Sequence, residues 1–236
     1  MSSLTFKKGL KDGIPIALGY LSVSFAFGVT AVDMGIPSYI ALLTSMTNLT
    51  SAGQLAGIAV IAVLGTVLEI ILTQLIINAR YFLMSLSLSQ RLDSKFKLLD
   101  RFLCAFGITD EIFAVCISNK EKITRNYMLG LILLPYIGWA TGTISGALLG
   151  DVLPSFIVSA LSIALFAMFI AIIIPATMSN HKILPVILIS AGLSCLFYYI
   201  PLLNTVSPGI TYIICAVIAS VIGAILFPIK ESEKDE

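Results

Sequence analysis

This chain is short of almost everything that soluble chemistry needs. It has one histidine, one tryptophan, 14 Lys and Arg and 13 Asp and Glu in 236 residues, so charged side chains make up only 11%. A net charge of +1 gives no basic patch for nucleic acid. The four cysteines, Cys104, Cys116, Cys195 and Cys215, lie inside apolar runs without C-x-x-C or His spacing, which argues against a disulfide framework or a metal centre. With His181 as the only histidine there is no H-E-x-x-H motif. Ser145 with His181 fails as a dyad, since Gly142-Thr-Ile-Ser145 has the wrong spacing for a nucleophile turn. There is no G-x-x-x-x-G-K-[ST] loop for a nucleotide. Neither an enzyme nor a cofactor is expected.

What the chain does have is length in its apolar runs. Hydrophobic residues reach 58% and the mean hydropathy is +1.03, well above soluble domains. Uncharged blocks long enough to span a bilayer are Gly13 to Val32, Tyr127 to Gly150, Ser155 to Ser179, Ile183 to Ile200 and Pro208 to Ile229. Residues 54–79 form a further run broken by one charge, Glu69. The first run follows lysines but has no A-x-A-type cleavage site, and is expected to be retained. The expected fold is all-α: residues 1–236 as one polytopic transmembrane helical bundle, with about six full spans plus two partial or broken helices. Short loops between the runs imply antiparallel neighbours.

Placing Lys7, Lys8, Lys11, Arg91, Lys95, Lys97, Arg101, Lys120, Lys122, Arg125, Lys182, Lys230 and Lys234 on the cytoplasmic side satisfies the positive-inside rule and puts both termini inside. Residues 102–118 must then enter and return rather than cross, and residues 38–48 must be a half-helix from the outer side. Pro15 through Gly28, Asp33 and Pro37 also resemble Pro135 through Gly146, Asp151 and Pro154, the weak trace of a repeat.

Three polar features interrupt the apolar background. Asn48-Leu-Thr-Ser-Ala-Gly-Gln54 is a weak helix former, and at membrane depth such backbone is stable only inside protein or along a cavity. A helix starting near Ser51 would aim free N–H groups at an anion. The alternatives are a plain turn or small residues for close helix packing. Glu69 shares a helical face with Ala62, Gly65, Thr66, Thr73, Ile76 and Arg80 if the helix is continuous, and needs either a partner or a function. Thr109-Asp110-Glu111 sets two adjacent carboxylates in an apolar stretch, where both cannot easily ionise, which suits a proton or an ammonium group unless that tip is simply wet.

With these segments identified, the chain resembles the AzlC family of branched-chain amino acid permeases. The resemblance is carried by Gly9-Leu-Lys-Asp-Gly-Ile-Pro15, Thr47-Asn-Leu-Thr-Ser-Ala-Gly-Gln54, Asn78-Ala-Arg-Tyr-Phe-Leu-Met-Ser-Leu-Ser-Leu-Ser-Gln90 and Thr109-Asp-Glu-Ile-Phe-Ala114. Many members have Ala-Gly-x-x-Gln where this chain has Ser51-Ala-Gly-Gln54. The resemblance implies a prokaryotic plasma-membrane exporter of leucine, isoleucine and valine, working with a small hydrophobic AzlD-type membrane subunit. Asn48, Thr50, Ser51, Gly53, Gln54, Asn78 and Arg80 are the candidate substrate-binding residues, and Glu69, Asp110 and Glu111 the candidates for proton coupling or ammonium binding. A passive channel and a non-transporting membrane scaffold are the competing classes.

Overall fold

The computed structural model describes residues 4–154 and 180–228, together with positions 156, 157, 160, 163, 170, 173, 174, 177 and 178. Its elements are helical: α1 (Phe6–Asp33), α2 (Ser38–Thr47), α3 (Ser51–Ala62), α4 (Val67–Ile77), α5 (Ala79–Ser89), α6 (Leu98–Phe106), α7 (Asp110–Ser118), α8 (Arg125–Leu149), a short 3-10 turn at Gly150–Val152, α9 (Ile183–Tyr199) and α10 (Pro208–Leu226). In hydrocarbon every backbone polar group must be satisfied within the protein, and helices do this locally.

The spine is the pair α1 and α8, which run parallel. Gly9 lies against the backbone of Tyr127 and Leu131, Gly28 against that of Thr143 and Ala147, and from the other side Gly130 meets Phe6, Gly138 meets Ala17 and Gly146 meets Phe25. Small residues let two backbones approach closely where no hydrophobic effect drives helices together, so dispersion and packing supply the attraction. The two stretches that resemble each other in sequence are thus the two helices of the spine. Short-loop reasoning anticipated antiparallel neighbours; α9 and α10 do pack that way, with Val186 near the start of one against Gly223 near the end of the other. The dominant pair instead joins helices about 120 positions apart.

Two helical hairpins enter this spine from opposite ends. Ile36, Ala41 and Ile58 cluster with Phe27 and Ala31 near the end of α1, so both arms of α2–α3 hang from there. The hairpin's inner end reaches mid-spine, where the Tyr136 hydroxyl donates to the Met46 carbonyl at 3.0 Å and Ser45 Oγ lies 2.7 Å from Thr143 Oγ1. The α6–α7 hairpin starts where Arg125 Nε meets Asp100 Oδ1 at 2.8 Å. It returns where Asn119 Nδ2 donates to the Tyr127 hydroxyl at 3.3 Å, so both arms begin and end beside the first turn of α8. Its turn at Gly107 presses on Ile132. Residues 102–118 do double back as a hairpin instead of running straight through, and residues 38–47 form a short helix.

The remaining spans are mixed. Among the described residues α1, α8 and α10 are long and apolar enough to cross a membrane, and α4 with α5, bent by 43° at Asn78, make a fourth if taken together. At 17 residues and about 1.5 Å per residue, α9 falls short of a roughly 30 Å hydrocarbon core. The span expected over Ser155–Ser179 lies largely outside the described residues. Residues 54–79 need correction: they do not form one helix. The chain breaks between α3 and α4, where Leu64 takes a positive φ of 56° and Gly65 N donates to the Val60 carbonyl at 2.9 Å. Ala62, Gly65 and Thr66 therefore do not share a helical face with Glu69.

Candidate functional site

The inner ends of the two hairpins meet halfway along the spine. There, Tyr20 of α1 and Trp139 of α8 pack edge to face with ring centroids 4.9 Å apart. With Leu49, Ser51, Tyr81, Thr109, Asp110 and Glu111 they enclose a cavity of about 10 Å³, enough for one water. Two helices begin at its wall, α3 at Ser51 and α7 at Asp110, pointing away in opposite directions. Each directs unpaired N–H groups and the positive end of its dipole inward.

The two ends are finished differently. At α7, Thr109 Oγ1 accepts the Ile112 N–H at 3.4 Å, and the carboxylates of Asp110 and Glu111 occupy the first turn. At α3 no side chain of Thr50 caps the helix. One wall is therefore rich in hydrogen-bond donors and the other carries two carboxylates.

Both carboxylates are held. Asp110 Oδ2 pairs with Arg80 Nη1 at 3.0 Å, and the Arg80 guanidinium also lies 5.0 Å from the centre of the Tyr81 ring. Glu111 Oε2 accepts from the Tyr20 hydroxyl at 2.5 Å, and that hydroxyl sits 2.6 Å from Thr109 Oγ1. Among the described residues Asp110 is thus neutralised by a cation on α5, whereas Glu111 is held by the neutral Tyr20 hydroxyl. Among the described residues Arg80 Nε and Asn78 Oδ1 are buried without a hydrogen-bond partner, which leaves one donor and one acceptor open at the bend between α4 and α5.

The other sequence candidates divide into three groups. Asn48, Gly53 and Asn78 converge on Gln74, a residue that sequence reasoning missed. Gln74 Nε2 donates to the Gly53 carbonyl at 2.7 Å, and its Oε1 accepts from Asn48 Nδ2 at 3.1 Å and Asn78 Nδ2 at 2.9 Å. Thr50 Oγ1 adds a bond to Asn48 Oδ1 at 3.2 Å. This network fixes the α2–α3 turn to α4 and braces the cavity wall that Ser51 forms.

Gln54 forms the second group and does not reach the cavity. Its side chain is fully buried, donating to Ser45 Oγ at 2.7 Å and accepting from Trp139 Nε1 at 2.9 Å. Here the side chain positions Trp139 instead of contacting a solute. The sequence does not single out Tyr20, Tyr81 or Trp139 as site residues; the chain's one tryptophan was the available signal.

Glu69 forms the third group, apart from the others. It sits in the first turn of α4, where Thr66 Oγ1 accepts its backbone N–H at 3.2 Å. Its carboxylate accepts from Ser207 Oγ and, at 3.1 Å, from the Gly209 N–H, so it caps the start of α10. Arg80, expected on the same helical face as Glu69 but too far along it to pair directly, instead follows the bend at Asn78 and bonds Asp110. Glu69→Gln keeps an acceptor oxygen and is expected to leave the thermal midpoint close to that of the wild type. Glu69→Ala removes both bonds and is expected to lower stability by about 1 to 2 kcal/mol, read as a drop in thermal midpoint.

The AzlC protein family matches residues 15–153, the stretch that builds the spine, both hairpins and the α4–α5 bend. An uncharacterized membrane protein of Archaeoglobus fulgidus is 33% identical over 210 residues, covering 88% of this chain and 90% of that one. Inner membrane protein YgaZ of Escherichia coli (strain K12) is 31% identical over 153 residues, covering 63% and 62%. An uncharacterized membrane protein of Helicobacter pylori is 28% identical over 187 residues, covering 75% and 80%. No solved structure matches the chain at a significant level. Its sequence and its membrane-helical architecture together make this chain a member of the AzlC family of membrane proteins.

Proposed function

We propose that this protein is a secondary transporter exporting the branched-chain amino acids leucine, isoleucine and valine, coupled to protons and acting with a small AzlD-type membrane subunit. The observation that carries the reading is the mid-depth cavity, where the uncapped start of α3 faces the Asp110–Glu111 carboxylates. An amino acid is a zwitterion and requires that pairing: N–H donors for its carboxylate, acceptors for its ammonium. In this reading the substrate carboxylate lies at Ser51 and the following N–H groups. Glu111 takes the ammonium, and the side chain rests against Leu49, Tyr81 and Trp139. Proton exchange is assigned to the acidic pair, since Glu69 is engaged in capping a helix.

At about 10 Å³ the cavity holds one water, so the conformation is closed and the hairpins must separate to admit leucine. A closed mid-depth site flanked by broken helices suits alternating access better than a passive channel. The positive-inside rule sets the basic end of the spine in the cytoplasm of a prokaryotic cell, with both termini there.

The test is counterflow of labelled leucine in liposomes, with and without an AzlD-type subunit, at matched and opposed pH. Uphill, pH-driven movement that requires the subunit supports the whole reading. Downhill movement that no proton gradient can drive uphill supports the channel. No movement of any amino acid by folded protein supports the scaffold. The proton scheme fails if Asp110→Asn and Glu111→Gln each leave pH-dependent export unchanged.

A further inference from the structure

We infer that the route between the central cavity and the basic end of the molecule runs along the seam between α5 and α6, closed at present by Ile108 at the hairpin tip. This rests on the transport reading and supplies its path. A second cavity of about 140 Å³, room for several waters, lies in that seam. Its walls continue those of the central cavity. On α5, Tyr81 borders the central cavity while Ser85, Leu88 and Ser89 border the second, a spacing that follows one helical face. On the hairpin, Thr109 borders the first and Ile108, Cys104 and Arg101 the second. Arg101 is exposed at the basic end, so the space leads from that end to the hairpin tip.

Between the two cavities stands Ile108, 7% exposed and next to Thr109, while Leu88 and Met128, 2% and 0% exposed, line the second cavity further toward the basic end. An apolar plug of this kind excludes water until the walls part. The Arg80–Asp110 pair marks the central-cavity end of this path. It bridges α5 and α7 at mid-depth, yet its side chains are 36% and 30% exposed. Such charges cannot face hydrocarbon and must meet water or protein. A larger cavity of about 370 Å³ between α3, α9 and α10 is lined mainly by aliphatic side chains, with Ser190, Ser194 and Tyr212 as its polar groups and no charged one, and offers a zwitterion less.

The test uses the full chain with its four cysteines replaced by alanine, after leucine counterflow is confirmed, and adds Ser85→Cys, Ser89→Cys or, as the outward control, Phe82→Cys. A membrane-impermeant thiosulfonate is applied from the side carrying Lys95 and Lys97. Ser85→Cys and Ser89→Cys are expected to react and then lose more than tenfold of leucine counterflow, while Phe82→Cys does not react. An inert Ser85→Cys in a protein that transports, or modification with no loss of flux, overturns the route and leaves the transport reading intact. Absence of counterflow before any modification rejects the transport reading, and the route with it. Should the cysteine-free chain not fold, Ser85→Trp in the native chain is expected to cut flux more than tenfold with an unchanged elution profile, against Phe82→Trp as control. Equal flux in those two variants overturns the proposal.

Discussion

Glu111→Gln is expected to slow leucine counterflow by about 10- to 100-fold while the chain still inserts and elutes as the wild type. The glutamine carbonyl can accept the Tyr20 hydroxyl that Glu111 Oε2 accepts now, so the contact between α7 and α1 survives. What disappears is the negative charge. A hydrogen bond to a charged group contributes about 1.5 to 3 kcal/mol, and each 1.4 kcal/mol is a factor of ten. Asp110→Asn is expected to act differently. It releases the Arg80 guanidinium at the α5–α7 seam, so flux loss comes with a lower thermal midpoint. Measuring flux and melting together separates the two acids. Wild-type flux from Glu111→Gln at wild-type melting would remove the ammonium site from the cavity.

The second large effect concerns the spine. Gly142→Val is expected to cost about 3 kcal/mol or more and to abolish the monodisperse species, because a Cβ there would run into Ser24 Oγ and the Leu21 carbonyl. The obstacle is backbone, which cannot rotate away, and a stability of only about 5 to 15 kcal/mol leaves little reserve. Gly19 is the internal control, since nothing lies within 4 Å of a Cβ added there. Gly19→Val is expected to elute as the wild type. If both variants elute alike, close approach along α1 and α8 is not what holds the bundle.

These two predictions differ in how far the sequence anticipated them. Asp110 and Glu111 stood out because an apolar stretch makes any carboxylate conspicuous, and Asn48 to Gln54 because polar backbone is costly in lipid. The doubling back of residues 102–118 and the shortness of α2 were expected from the positions of lysine and arginine alone. The parallel spine was hidden: its glycines look like ordinary membrane composition until the partner helix is known. The break at Leu64 was legible in part, for Thr66-Val-Leu-Glu69 has the form of a helix-start box, but hydropathy carried the reading straight through it. Glu69 then spends its carboxylate on α10, about 140 positions away, where no local rule reaches. Gln74 and Gln54 were equally ambiguous, since an amide's role depends on what faces it.

The order of synthesis makes the two hairpins awkward guests of the membrane. Both turns, with their open backbone and, at α7, two carboxylates, lean on α8, and α8 emerges from the ribosome after them. Until Arg125 to Leu149 arrives, Asn48, Thr109 and Glu111 have no Trp139, Tyr136 or Ile132 to shelter them. A nascent chain ending before Arg125 has no stable way to keep these turns at membrane depth. The two hairpin turns therefore reach their settled places only when the later spine helix closes on the first.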